Sequence, residues 1–175
     1  MLSQSIEGAL NEHCKQEFYA AYLYLSMAAH CDAQSLTGFA HWLELQSQEE
    51  QVHAMRFYRF ILDRGGRVRL QSIPQPPTEF PSPLALFEQA LAHEQEVSSM
   101  IDALYTRAGS EGDHAAQAFL QSFIQEQVEE EKTATQIVET LRMAGDNKAA
   151  LLMIDRELAQ RASTALTTAP NQRFA

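Results

Sequence analysis

Residues 49–53 read EEQVH, two adjacent glutamates and a histidine in a segment otherwise shaped to pack. Phe39, Trp42, Leu43 and Leu45 precede them, and Phe57, Phe60 and Ile61 follow. Glu50 and His53 stand three residues apart, so on a helix they share a face and can offer a carboxylate oxygen and an imidazole nitrogen to one metal ion. A lone Glu-x-x-His spacing arises often by chance, and glutamate is rarely buried. The pair gains weight because similar intrusions recur in three other segments. The stripe that faces a bundle core is found by stepping three and four residues in turn. Residues 3–31 then give Leu10, Cys14, Glu17, Ala21, Tyr24, Ala28 and Cys31, and residues 36–64 give Phe39, Leu43, Gln46, Glu50, His53, Phe57 and Phe60. Residues 83–108 give Phe87, Ala90, Glu94, Val97, Ile101 and Leu104. Residues 114–143 give Ala116, Leu120, Phe123, Gln127, Glu130, Ala134, Ile137 and Leu141.

Every stripe is apolar toward its ends and polar near its middle. Helices of similar length packed side by side bring Glu17, Glu50, Glu94, Glu130, His53 and the amides Gln46 and Gln127 into one layer. Four unpaired carboxylates there would each cost on the order of several kcal/mol, and no lysine or arginine lies on the four stripes. Two divalent cations would neutralise four glutamates. The donors are carboxylate with a single imidazole and no thiolate, which suits iron or manganese better than zinc or calcium. Tyr24, two turns from Glu17, is by default a core aromatic and is also placed to hydrogen-bond near the metals. Glu49, Glu126 and Glu129 fall one position away from Glu50, Gln127 and Glu130. As part of a charge run with Glu131 they read equally as a solvated face or as a third, more exposed metal position. His13, His30, His41, His93 and His114 lie off the stripes and are expected at the surface or locally bonded.

The elements that must position this layer follow from proline and glycine. The first 64 residues hold no proline, and the one proline-rich stretch is GGRVRLQSIPQPPTEFPSP at 65–83. Helices are expected over 3–31, 36–64, 83–108 and 114–143, with a short fifth helix at 148–161. The default is an all-α bundle. Short turns make the first two helices, and the third and fourth, antiparallel hairpins. The intervening loop can extend to roughly 60 Å, longer than a helix of this size at about 43 Å. The second and third helices can therefore run parallel, joined by one long crossover. One domain is expected over 1–160, with a flexible tail over 161–175. A net charge of −10 argues against nucleic acid and anionic membrane as partners. The two cysteines, Cys14 and Cys31, would sit about 25 Å apart on one helix and give no disulfide. With no secretory signal and no segment suited to span a membrane, the expectation is a cytoplasmic protein.

The segments LNEHCKQEFYAAYLYLSMA, QSQEEQVHAMRF, IPQPP, HEQEV, QEQVEEEK and IDREL, in this order, resemble the non-haem bacterial ferritins over residues 2–160. The resemblance implies a ferritin-like four-helix bundle with a long crossover and a short C-terminal helix. It implies a homo-oligomeric cage of twenty-four subunits that oxidises Fe(II) with O2 and stores ferric oxyhydroxide. By position, Glu17, Glu50 and His53 would hold one iron. Glu94, Glu130 and a bridging Glu50 would hold the other, with Gln127 and Tyr24 as neighbours. Glu49, Glu126 and Glu129 would form a third iron site. Haem is not expected. The second Glu-x-x-His of bacterioferritins is replaced by Gln127 and Glu130, and their haem-ligand methionine by Gln51. The acidic pair of the animal three-fold pore corresponds to Gln117 and Leu120. A rubrerythrin-like di-iron peroxidase or oxygenase, which usually needs a Glu-x-x-His on two helices, and a purely structural bundle are the alternatives.

Overall fold

Ser3 and Ser82 each stand just before a helix, and each hydroxyl accepts from the backbone N–H three residues on, at 3.1 Å. Pro83 follows at the first helical position, where its missing N–H costs nothing. Asp113 and Asn147 cap two further helices in the same way. The computed structural model describes residues 2–162. The five helices are α1 (Gln4–Ala33), α2 (Thr37–Asp63), α3 (Pro83–Ser110), α4 (His114–Ala144) and α5 (Lys148–Leu158). There is no strand among the described residues, so the expected all-α class is observed. Gly65, Gly112 and Gly145 end α2, α3 and α4 with positive φ, a conformation open to glycine without steric cost. α5 stops at Leu158, three residues before the expected end. Of the expected tail, residues 163–175 lie outside the described residues.

Helix direction follows from which halves share a core. One apolar cluster combines the C-terminal half of α1 (Leu23, Met27), the N-terminal halves of α2 (Phe39, Leu43) and α3 (Phe87, Ala90), and the C-terminal half of α4 (Ile137, Leu141). The second combines Ile6 and Leu10, Phe57 and Ile61, Ile101 and Leu104, and Leu120 and Phe123. α2 and α3 are therefore parallel, as the crossover requires. The crossover runs along α1. Asn11 donates to Arg67 O and accepts from Arg69 N near one end, and Ser26 donates to Pro77 O near the other. Phe80 returns the chain to the first cluster.

α5 docks on α2 through an unusual cap. The α2 N-terminus follows Leu36, which has no capping side chain. Asp155 of α5 supplies the acceptor instead, taking the N–H groups of Gly38 and Phe39 at 2.8 and 3.0 Å. Gly38 is required there, because a Cβ would stand 1.7 Å from the Asp155 carbonyl oxygen. Between the two apolar clusters lies the polar layer.

Candidate metal centre

Each of the four bundle helices passes from one apolar cluster to the other, and each carries its acidic residue at the crossing. On α1, Glu17 lies between Cys14 and Leu23, and on α3, Glu94 lies between Ala90 and Val97. Glu17, Glu50 and Glu94 are only 1%, 3% and 2% exposed, although carboxylates are seldom buried without a partner. Glu130 and His53 are partly buried. Helical periodicity puts the acids on the inside face, and the large apolar residues above and below fix the level at which they meet.

Glu17, Glu50 and His53 each offer a ligand atom within 4.8 Å of the others, the one such group among the described residues. His53 Nδ1 lies 3.2 Å from Glu50 Oε2 and 3.9 Å from Glu17 Oε2. Glu17 Oε1 lies 3.1 Å from His13 Nε2, a contact that is not aligned as a hydrogen bond. Glu17 Oε2, on the side of His53, is buried with no hydrogen-bond partner. A buried, unpartnered carboxylate oxygen beside a second carboxylate and an imidazole is the donor set a divalent cation satisfies, so these residues fit a metal.

Around this group the remaining residues are tied by hydrogen bonds. Gln46, fully buried, donates through Nε2 to Glu50 Oε1 at 3.1 Å and to Glu130 Oε2 at 2.9 Å. The Tyr24 hydroxyl donates to Glu94 Oε1 in a short bond. Gln127 Nε2 donates to Glu94 Oε2 at 3.1 Å and to the Glu94 carbonyl at 3.2 Å. Glu94 and Glu130 thus belong to the same layer but not to the tight three-residue group.

The charges in this layer are held by protons. Burial pushes the Glu50 carboxyl well above the usual range, and the neighbouring Glu94 and Glu17 charges add to this against the bond from His53. Burial likewise raises Glu94, to about 7, despite the bonds from Tyr24 and Gln127. Glu130 is raised by burial too. Burial alone would lower His53, but the hydrogen bond and charge of Glu50, with Glu17 and Glu126, lift it to about 9. Glu17 goes the other way. Burial opposes its charge, yet the contact with His13 and the nearby His53 hold it below the usual carboxylate range. The Tyr24 phenol is pushed well above its ordinary value by burial and by Glu94.

The three outer carboxylates are arranged differently. Glu49 accepts from Arg161 Nη2 at 2.5 Å. Glu126 accepts from Arg56 Nη1 at 2.6 Å and stands 3.5 Å from His53 Nε2. Glu129 pairs with Lys132 at 3.2 Å on the exposed side. Basic residues thus reach the centre from off the stripes, a feature the stripe pattern missed. Arg56 is the stripe's near neighbour on α2, and its guanidinium lies 3.8 Å over the Phe123 ring. Arg161 comes from beyond α5.

Two histidines expected at the surface or locally bonded are buried instead. His13 packs on Phe57 with ring centroids 4.5 Å apart and contacts Glu17 one turn on, while His93 sits edge-on to Tyr19. Burial lowers the His93 pKa. Their spacing from Glu17 and Glu94 was the available signal, since His13 is i−4 from one and His93 adjacent to the other. Leu120, which the resemblance sets at one acidic position of the animal three-fold pore, is buried inside the second cluster. Cys14 and Cys31 are both free thiols.

The Ferritin-like domain family matches residues 7–144 of this chain. A bacterial non-haem ferritin of Bacteroides fragilis (strain 638R) is 42% identical over 161 residues, covering 92% of this chain and all of that protein. One from Staphylococcus saprophyticus is 41% identical over the same share of this chain and 96% of its own length. Among solved structures, an open-pore ferritin from the hyperthermophilic archaeon Archaeoglobus fulgidus superposes with a TM-score of 0.92 at 46% identity, over 93% of this chain and 100% of the other.

Proposed function

This chain belongs to the ferritin family, and from that premise we propose that it is an iron-storage ferritin and a ferroxidase. Fe(II) and O2 are the substrates. One Fe(II) is held by Glu17, Glu50 and His53, and a second by Glu94, Glu130 and a bridging Glu50. Each iron gives up one electron, and the two electrons together take one O2 to the peroxide level. Carboxylate oxygens stabilise Fe(III) over Fe(II), so the ligand set itself favours oxidation. After oxidation the two ferric ions exceed the charge of four glutamates, and oxo or hydroxo ligands must offset the difference. That imbalance drives product toward further carboxylates, for which Glu49, Glu126 and Glu129 are the outer site. Oxidised iron accumulates as mineral inside a homo-oligomeric cage, proposed from the resemblance to have twenty-four subunits. A cytoplasmic location fits a chain whose described helices are none of them long and apolar enough to cross a membrane.

The observation that carries the reading is the acidic layer between two apolar cores, with Glu17, Glu50 and His53 within 4.8 Å and one carboxylate oxygen left without a partner. Tyr24 and Gln127 keep Glu94 aimed into the layer, and Gln46 ties Glu50 to Glu130. The test is the initial rate of aerobic Fe(II) oxidation by Glu50→Ala, with sizing before and after iron loading. The variant is expected to lose the fast phase while still assembling. Oxidation at the wild-type rate would overturn the assigned centre, and a wild-type protein that never accumulates iron would overturn storage.

A further inference from the structure

On the far side of Glu17 from His53 stands a second imidazole. His13 precedes Glu17 by one turn of α1, and both residues are only 1% exposed. His13 Nε2 lies 3.1 Å from Glu17 Oε1. The His13 ring is fixed by packing. It lies on Phe57 with centroids 4.5 Å apart, and Phe57 is set against Phe119 at 5.1 Å and Phe123 at 4.6 Å. Phe123 in turn meets the His53 ring edge-on at 5.6 Å. One aromatic cluster thus holds both imidazoles that flank Glu17, with His13 beside Oε1 and His53 on the side of Oε2.

His13 Nε2 and Glu17 Oε2 are both buried without a hydrogen-bond partner. Unpaired polar atoms at this depth are rare and call for an explanation. The ring nitrogen facing Glu17 must carry a hydrogen, since a bare nitrogen at 3.1 Å would set lone pair against lone pair. The last torsion of a glutamate side chain is broad, so the carboxylate can turn Oε1 into line with that N–H at little cost. Oε2 then remains for a cation shared with Glu50 and His53. Because His13 and Glu17 are four residues apart on one helix, the contact forms without any movement of the backbone.

We propose that His13 is the positioning residue of Glu17: its Nε2–H takes Oε1, and Oε2 is thereby presented to the cation held with Glu50 and His53. This rests on the inner metal group proposed above. Hydrogen-bond partners of ligating side chains fix their orientation, and removing one typically weakens metal binding by about 10–100-fold.

The test is anaerobic Zn(II) titration of the assembled protein against a competing chelator, in the wild type, His13→Leu, His13→Met and His13→Gln. The two apolar variants keep contact with Phe57 and remove the donor, whereas the amide of His13→Gln keeps a donor one turn before Glu17. The Zn(II) equivalent that Glu17→Ala weakens identifies the inner group. Its affinity is expected to fall about 10–100-fold in His13→Leu and His13→Met and to stay near the wild type in His13→Gln. In the Glu17→Ala background His13→Leu should cause no further loss, because the group it acts through is gone. Wild-type affinity in the apolar variants would overturn the positioning role and leave the metal group standing. So would an equal loss with and without Glu17, or assembly by His13→Gln alone, since either makes His13 a packing residue. If the wild type binds no Zn(II) tightly and Glu50→Ala changes nothing, the inner metal group fails and takes the positioning role with it.

Discussion

Binding of the first two cations should expel protons, and the number follows from the geometry of the layer. Glu50 and His53 are 3.2 Å apart. His53, lifted to about 9, carries a proton at neutral pH, and the raised Glu50 only adds to that count. Glu94, raised to about 7 by burial, adds half of another at pH 7. A metal needs these groups deprotonated, so His53 and Glu94 alone should release about 1.5 protons per subunit at pH 7. The pH dependence has a definite sign. At pH 6 Glu94 is almost fully protonated and the release should rise to about 1.9 protons. At pH 9 Glu94 is ionised, and His53, lifted to about 9, is half titrated, so it should fall to about 0.5. The assay is anaerobic Fe(II) calorimetry in buffers of different ionisation enthalpy, repeated with Glu94→Gln, which should remove about half a proton at pH 7. Release near zero at pH 7, or a release that is flat from pH 6 to 9, would refute the view that burial keeps these ligands protonated until metal arrives.

Two further predictions concern the frame that holds the layer. Gly38→Ala sets a Cβ against the Asp155 backbone, a clash that overpacking precedents put at about 1–3 kcal/mol or more. Hydrogen exchange should then show α5 losing protection while α1 to α4 keep theirs, and unchanged α5 protection would sink the remote-cap account. Asp113→Ala removes the α4 cap and the forked pair with Arg64 at 2.9 and 3.0 Å. The cost should be about 1 kcal/mol for the cap and about 1.5–3 kcal/mol for the charged bonds. Because the bond from Arg64 lowers the Asp113 pKa, its contribution is full above the unfolded value near ~3.9 and is lost as pH falls through the lower folded value. A wild-type to Asp113→Ala stability gap in denaturant titrations that did not narrow below pH 4 would count against it.

What the sequence shows about this centre depends on how far apart the participants lie. The helices and the stripe are local, because periodicity and punctuation act over a few residues, and the observed ends fall within three residues of the expected ones. Glu17, Glu50 and His53 could be placed together because each lies midway along a stripe whose ends are apolar. The buried His13 and His93 were misplaced because a single stripe describes one contact face, whereas α1 packs on both α2 and α3. Asp155 and Arg161 carry no local signal at all. Asp155 caps a helix 117 residues earlier, and Arg161 reaches Glu49 across 112. Nothing in IDREL or in the residues after it says which helix end lacks a cap or which carboxylate lacks a cation.

The inner and outer carboxylates solve one problem in two ways, and the difference bears on their use. Inside, no lysine or arginine is within the tight group, and burial beside one imidazole favours the protonated acids at Glu50 and Glu94. Outside, basic side chains balance the charge, with Arg56 on Glu126, Arg161 on Glu49 and Lys132 on Glu129. Apolar residues of similar volume in the inner layer would pack without the desolvation cost that Glu50 and Glu94 carry, and such exchanges of buried ionic groups are often stabilising. The acids therefore cost the folded chain stability wherever no metal is bound. Their presence at four crossings is therefore accounted for by the proposed metal binding rather than by stability.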